Sequence, residues 1–82
     1  ETAVTREQLA AMLYRYAKLK GRDLTSGTLD AFSDGASASA YAREALQWAA
    51  AQNLLTGSNG ALAPQGIATR AQFAAILHRF FG

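Results

Sequence analysis

The chain contains no cysteine, one histidine and one proline among its 82 residues. Without cysteine, neither a disulfide nor a thiolate metal site can stabilise the fold. The histidine, His78, has no second histidine or acidic residue at ligand spacing, so we expect it on the surface rather than in a metal site. Paired carboxylates at a catalytic spacing and a phosphate-binding loop are missing as well. The sequence therefore predicts a protein that is not an enzyme and needs no cofactor or metal.

Long apolar runs and a strong excess of one charge are also missing. No apolar segment approaches the roughly 20 residues of a membrane-spanning helix. The formal net charge is +2, and the basic cluster Lys18, Lys20 and Arg22 is followed closely by Asp23 and Asp30. A nucleic-acid-binding domain needs a denser basic patch, so we expect no nucleic-acid partner. A few arginines still suffice to bind a single anionic group, because that depends on local geometry rather than on net charge.

The strongest pattern in the sequence is an internal repeat. Residues 5–16 return as residues 69–80 without insertion or deletion, with Thr, Arg, Gln, two Ala, Leu and a second Arg shared. A repeat at a fixed offset is typical of a modular array in which each unit is stabilised by its neighbours. We interpret residues 1–21 as the second half of one unit and residues 22–82 as a complete next unit. We expect the complete unit, residues 22–82, to be the last repeat of a longer protein.

Each copy of the repeat predicts an amphipathic helix. Thr5 with Gln8, and Thr69 with Gln72, have the spacing of a capping box, in which side chains satisfy the first free N–H groups of a helix. Apolar residues then recur at helical spacing. The expected buried faces are Leu9, Met12, Leu13 and Tyr16 in the first helix and Phe73, Ile76, Leu77 and Phe80 in the last. Gly21 is expected to end the first helix.

The segment between the two copies predicts one further helix. Residues 22–38 are rich in turn-forming residues and are typical of a long connection, which Leu29 and Phe32 should anchor in the core. An alanine-rich helix should follow over residues 39–53. Its expected buried face is Tyr41, Ala45, Trp48 and Ala49. Asn59-Gly60 indicates a tight turn or hairpin-like excursion before the last helix. The predicted fold class is all-α, a small array of helix-loop-helix repeats.

Several motifs, in this order along the chain, resemble the S-layer homology domain. They are Phe32-Ser33-Asp34, Ala45-Leu46-Gln47-Trp48-Ala49, Gly57-x-x-Gly60, Pro64 and Ala68-Thr69-Arg70-Ala71-Gln72-Phe73. The spacing matches the family pattern over residues 29–82. This chain departs from the pattern at six positions. Gln8 and Gln72 replace the signature Glu, and Val4 and Ala68 replace the signature Ile. Asn53 replaces a glycine after the first helix of the repeat, and Leu62 replaces an aromatic residue after the turn.

The resemblance implies a function on the bacterial surface. Proteins of this family usually carry three repeats, which form a pseudo-threefold helical array and hold a secreted protein non-covalently on the cell wall. The usual ligand is a secondary cell-wall polysaccharide, often with a pyruvate ketal, bound in grooves between repeats. We therefore expect a non-catalytic anchoring module that is secreted and located in the cell wall or S-layer of a Gram-positive bacterium. The family's site positions correspond here to Arg6, Arg70, Asp34 and Trp48.

The residues themselves leave the role of each of these positions open. Arg6 and Arg70 stand at the first helical position, where the helix dipole disfavours a cation. We expect them either to form anion sites with N-terminal backbone N–H groups or to make salt bridges with Asp34 or Glu7. Asp34 is expected to accept a sugar hydroxyl, to orient Arg6 or to cap the turn that follows it. Trp48 is expected either to pack in the core or to stack on a sugar.

Two functions are compatible with these patterns. In the first, the arginines bind an anionic group on the wall polysaccharide while Asp34 and Trp48 contact its sugars. In the second, the module is a structural or protein-interaction repeat whose uncovered apolar helix faces drive this fragment to form a homo-oligomer. Neighbouring repeats are expected partners in both.

Overall fold

The computed structural model describes residues 4–29, 32–55 and 61–81. Within these residues three α-helices are present: α1 spans Arg6–Leu19, α2 spans Arg43–Ala51 and α3 spans Arg70–Phe81. Two short 3-10 helices, Gly35–Ser37 and Ala40–Ala42, lie between α1 and α2. The same residues contain no strand, only an isolated antiparallel bridge. The all-α prediction is confirmed. The predicted Asn59-Gly60 turn lies outside the described residues.

Both copies of the predicted capping box are present. The Thr5 hydroxyl accepts from the N–H of Gln8 at 3.2 Å, and the Gln8 side-chain carbonyl accepts from the N–H of Thr5 at 2.9 Å. Thr69 and Gln72 make the same pair of bonds at 3.1 and 2.9 Å. Each box satisfies N–H groups that a helix start otherwise leaves free. The repeated sequence therefore produces the same start in α1 and α3.

The helices α1 and α2 share the same kind of C-terminal end. Gly21 has a φ of 67° and Asn53 a φ of 60°, and asparagine adopts this left-handed conformation more readily than most residues. The N–H groups of the next residues, Arg22 and Leu54, donate back into the last helical turn at 2.9 and 2.8 Å. Asn53 thus ends α2 as Gly21 ends α1, and these turns fix where Arg22 and Leu54 lie.

The core lies between α1 and α2. Ala17, Ala42 and Leu46 have no exposed surface, and Leu9 is 1% exposed. Small alanine side chains let two helices pack closely, which explains the alanine-rich sequence of α2. The predicted anchor Leu29 is buried, and Phe32 packs half-buried against the same core.

Trp48 connects α3 to this core. Trp48 is 1% exposed. The centroid of the indole lies 5.4 Å from that of Tyr14 and 5.8 Å from that of Phe80. The indole N–H donates to the carbonyl of Asp23 at 2.9 Å. Core packing, one of the two roles expected for Trp48, is therefore confirmed.

The start of α3 lies beside the start of α1. The segment 64–68 runs antiparallel to the residues that open α1, with Thr5 and Ile67 forming a bridge. The N–H of Arg6 donates to the carbonyl of Gly66 at 3.0 Å. The N-terminal ends of the two repeat copies are therefore joined through the backbone.

The predicted burial is wrong at three positions of the repeat. Met12 is 56% exposed, Tyr16 is 38% exposed and Phe73 is 39% exposed. The predicted burial is confirmed for Leu9 and Leu13 in α1, which also buries Ala10 and Ala17. It is confirmed for Ile76 and Phe80 in α3. The two helices share a sequence pattern but bury different faces because they have different neighbours.

The predicted start of the second helix is also wrong. α2 begins at Arg43 rather than at residue 39, and the residues before it form the 3-10 helix Ala40–Ala42. Tyr41, predicted to be buried, lies in this 3-10 helix and is 62% exposed. The 3.6-residue spacing on which its predicted burial depends does not apply to a 3-10 turn.

Candidate functional site

Arg6 lies where the two copies of the repeat meet. It is half-buried, and its guanidinium reaches from the start of α1 to the start of α3. Its Nη2 donates to the side-chain carbonyl of Gln72 at 2.9 Å, and its Nη1 donates to the backbone carbonyl of Ala63 at 3.3 Å. Both acceptors are neutral amide oxygens. The positive charge of Arg6 is therefore held in place by groups that do not neutralise it.

The predicted salt bridge from Arg6 to Glu7 or Asp34 is wrong. Glu7 is 5% exposed, and its carboxylate accepts from the N–H and hydroxyl of Ser39 at 3.0 and 2.7 Å. Gln65 donates to the same carboxylate at 3.3 Å. Glu7 therefore joins the start of α1 to the segment that precedes α2 instead of pairing with Arg6.

Asp34 holds the chain segment that faces Arg6. Its Oδ1 and Oδ2 accept from the N–H groups of Leu62 and Ala63 at 2.7 and 2.8 Å. These bonds stabilise the charged carboxylate and lower the pKa of Asp34 below its ordinary value of 3.8. The side chain makes no capping bond to the 3-10 helix at Gly35, so that expectation is wrong. Asp34 positions residues 62 and 63 instead.

Ala63 and Gly66 shape the backbone around the Arg6 side chain. Ala63 has a φ of 50°, a conformation that costs free energy in a residue other than glycine. Its carbonyl accepts from Arg6 and also from the N–H of Gly66. A Cβ atom on residue 66 would overlap with Nη1 of Arg6. Glycine at this position therefore gives the guanidinium its space.

A cavity of about 230 Å³ opens beside Arg6. Arg79 also lines it, and no lining residue that the structure describes is acidic. Arg79 Nη1 donates to the backbone carbonyl of Leu54 at 3.4 Å, again a neutral acceptor. The apolar part of the wall includes Leu54, Leu55, Leu62, Ala75 and Ile76. Two guanidinium groups beside an apolar wall can bind a carboxylate that is attached to a small hydrophobic group.

The other expected site residues do not line this cavity. Arg70 is exposed at the first position of α3 and is outside the lining. Trp48 lines a second cavity of about 190 Å³. Asp34 accepts hydrogen bonds from Leu62 and Ala63, two residues that line the first cavity, and so supports its wall. His78 is exposed, as predicted.

The predicted use of backbone N–H groups is wrong for α1. The N–H groups of Arg6 and Glu7 donate to the carbonyls of Gly66 and Pro64 at 3.0 and 2.9 Å. The N–H of Gln8 is occupied by the capping box. Donors for an anion at this site therefore come from arginine side chains rather than from the helix terminus.

Sequence reasoning missed three contributors to the site. Arg79 is the second arginine of the repeat, matching Arg15, and this identity is the signal that points to it. Gln72 is recognisable as a helix cap, but the same oxygen also accepts from Arg6. No sequence pattern indicates Gly66, because its importance depends on the path of the Arg6 side chain.

The comparison with known families identifies the chain. The family model of the S-layer homology domain matches residues 31–74, more than half of the 82 residues. The chain belongs to the S-layer homology domain family. No curated protein and no solved structure matches it. The match includes Asp34, Trp48 and Arg70, three of the four expected site positions.

Membership of this family establishes the general function. S-layer homology domains are binding modules that anchor proteins at the cell wall or cell surface. Across residues 4–29, 32–55 and 61–81, no helix has the length and apolar character needed to cross a bilayer.

Proposed function

We propose that this S-layer homology module binds an anionic, pyruvylated secondary cell-wall polysaccharide and retains a secreted protein on the wall or S-layer of a Gram-positive bacterium. The observation that carries the proposal is the cavity of about 230 Å³ lined by Arg6 and Arg79. A pyruvate ketal has a carboxylate and a methyl group on one carbon. It therefore matches guanidinium donors that stand beside an apolar wall.

The position of the cavity along the chain supports this proposal. Arg6 comes from residues 1–21, the proposed half unit, and the rest of the described lining comes from residues 22–82, the proposed complete unit. The cavity thus has the character of a groove between repeats. In this arrangement Arg6 binds the carboxylate, and Arg79 adds further donors. Asp34 acts indirectly, by holding residues 62 and 63.

Arg70 and Trp48 have different places in the proposal. Arg70 is the counterpart of Arg6 in the second copy, and it would serve an equivalent groove completed by a neighbouring repeat. Trp48 supports the apolar side of the site from within the core, since its ring packs against Phe80 on α3.

Titration with a small glycoside tests the proposal. The probes are a methyl glycoside with a pyruvate ketal and the methyl ester of the same compound, which lacks the charge. We expect the unsubstituted protein to bind the acid at least about tenfold more tightly than the ester, because charge-assisted hydrogen bonds to guanidinium are lost in the ester. Arg6→Gln should remove most of this difference.

Arg15→Gln is the matched control, since Arg15 is an exposed arginine of α1 that lines neither cavity. It should bind both probes as the unsubstituted protein does. Equal affinity of the unsubstituted protein for acid and ester would contradict the proposed role of the arginines.

A structural or protein-interaction role is the second candidate. It is favoured by large apolar side chains on the surface: Met12 is 56% exposed, Leu19 is 82% exposed and Phe81 is 57% exposed. Self-association of the protein as a homo-oligomer would cover such residues. Light scattering at high concentration tests this candidate, and a stable monomer would remove it.

A further inference from the structure

A second cavity, of about 190 Å³, adjoins the first. Leu54 and Arg79 line both cavities and so form the partition between them. The other polar residues that line the second cavity are Arg22, Asp23 and Gln52. We propose that this second cavity is a subsite for the hydroxyl groups of a neutral sugar next to the anionic sugar in the same glycan. The inference rests on the proposed function of the first cavity.

The charges of the two cavities differ in a way that suits two different sugars. The first has two arginines and no acidic residue among its described lining, whereas the second has Arg22 and Arg79 together with one acidic residue, Asp23. A carboxylate accepts from a sugar hydroxyl and a guanidinium donates to one, so the two together can bind neighbouring hydroxyls. An anionic group would bind less tightly in the second cavity than in the first, because Asp23 repels it.

Asp23 is arranged to accept a further hydrogen bond. The N–H and hydroxyl of Thr25 both donate to its Oδ1, which leaves Oδ2 for another donor. These bonds to Thr25 lower the pKa of Asp23 below its ordinary value of 3.8. The carboxylate is therefore charged at neutral pH.

Arg22 is held in a fixed orientation with donors to spare. Its Nη2 donates to the carbonyl of Phe80 at 2.8 Å, and its guanidinium lies 4.3 Å from the centroid of the Phe80 ring. A guanidinium has five N–H donors, so most of those on Arg22 remain for a ligand. The turn that ends α1 fixes its backbone. A side chain ordered in advance loses less entropy when a ligand binds.

Two aromatic residues and the side-chain amide of Gln52 complete the subsite. Trp48 and Phe80 line it, and both are buried, so they form its floor rather than an open stacking surface. The side-chain amide of Gln52, directly after α2, donates to the carbonyl of Thr25 at 3.5 Å. Its amide can turn toward a ligand as donor or acceptor.

A comparison of one sugar with two tests this inference. The probes are the pyruvylated methyl glycoside and two disaccharides in which a neutral hexose is linked to either side of the same sugar. We expect at least one disaccharide to bind the unsubstituted protein about fivefold to tenfold more tightly than the single sugar. The double variant Asp23→Asn with Gln52→Ala should bind the single sugar normally and lose this gain.

The variants are chosen so that the fold persists. Asparagine at position 23 still offers an oxygen to Thr25, and neither residue lines the first cavity. Glu44→Gln is the matched control, because Glu44 lies on α2 outside both cavities and accepts from Tyr14. This control should keep the gain for the disaccharide.

The possible outcomes separate the two claims. In the first outcome the single sugar binds through Arg6, but neither disaccharide binds more tightly, or the double variant keeps the gain in affinity. This outcome overturns the second subsite and leaves the proposed function standing. Failure of every probe to bind overturns the proposed function, and the second subsite falls with it.

Discussion

The side chain of Arg6 is positioned by an uncharged partner. Its Nη2 donates to the amide of Gln72, at the position where the family resemblance leads one to expect glutamate. A glutamate there would place a carboxylate next to the guanidinium and neutralise part of its field. The glutamine of this chain keeps both the helix cap and the uncompensated charge.

Gln72→Glu should therefore weaken binding of the pyruvylated glycoside by roughly threefold to tenfold, because the new carboxylate competes for Arg6 and repels the ligand. Stability should change by less than about 1 kcal/mol, since the capping box survives and a partly exposed ion pair contributes little. Calorimetric titration and urea unfolding measure the two effects. Unchanged affinity would show that Arg6 does not meet the ligand's charge.

A substitution at Gly66 provides a second test of the Arg6 side chain's role. Gly66→Ala should displace the Arg6 side chain, because the added methyl group would occupy the space of Nη1. Binding of the pyruvylated glycoside should fall to about the level of Arg6→Gln. In an Arg6→Gln background the same substitution should have little further effect, since the two residues act as a unit. Additive losses in this double-mutant cycle would disprove the link.

The two copies of the repeat show what local sequence determines and what it does not. Capping and helix ends depend on residues within one turn, so both capping boxes and the end of α1 could be predicted. The buried faces could not, because they depend on what packs against each helix. Leu9 and Phe73 occupy the same repeat position, yet Leu9 is 1% exposed and Phe73 is 39% exposed.

Leu9→Ala and Phe73→Ala form a matched pair for this difference. The first should lower the free energy of unfolding by about 2–5 kcal/mol, because it opens a cavity in the core. Phe73→Ala should lower the free energy of unfolding by less than about half as much, because much of the phenylalanine ring is already exposed to water. This holds although phenylalanine is larger than leucine. Urea unfolding of the two variants measures both losses of stability. Equal losses would mean that the two helix faces are covered alike.

The candidate site was only partly predictable for a related reason. The position of Arg6 against the helix dipole is visible in the sequence, and so is the repeated arginine that includes Arg79. That both arginines line one cavity could not be predicted, because it depends on residues 63–68 lying beside the start of α1. Asp34 fixes that segment through long-range hydrogen bonds that no local pattern indicates.

At the scale of the whole molecule, stability should depend on pH through the two aspartates that accept backbone hydrogen bonds. The pKa values of Asp23 and Asp34 are lowered in the folded protein by hydrogen bonds, from Thr25 and from Leu62 and Ala63 respectively. A lowered pKa means that the charged form stabilises the fold. This contribution is complete above the ordinary value of 3.8 and is lost as the pH falls through the lower folded values.

Unfolding by urea at a series of pH values between about 7 and 2 should show this loss. The free energy of unfolding should fall more steeply below the ordinary aspartate pKa in the unsubstituted protein than in Asp34→Asn. The variant should be less stable at neutral pH, because an amide oxygen replaces only one of the two carboxylate acceptors. Identical pH profiles would exclude a stabilising role for the Asp34 carboxylate.

The central claim, that Arg6 binds an anionic wall glycan, is tested most directly by sedimentation of the protein with purified Gram-positive cell walls. The walls are used before and after acid extraction of the secondary polysaccharide, with Arg6→Gln and the control Arg15→Gln beside the unsubstituted chain. We predict that the unsubstituted chain and Arg15→Gln sediment with intact walls only, and that Arg6→Gln stays largely in solution. Retention of Arg6→Gln on intact walls, or retention of the unsubstituted chain on extracted walls, would contradict the account.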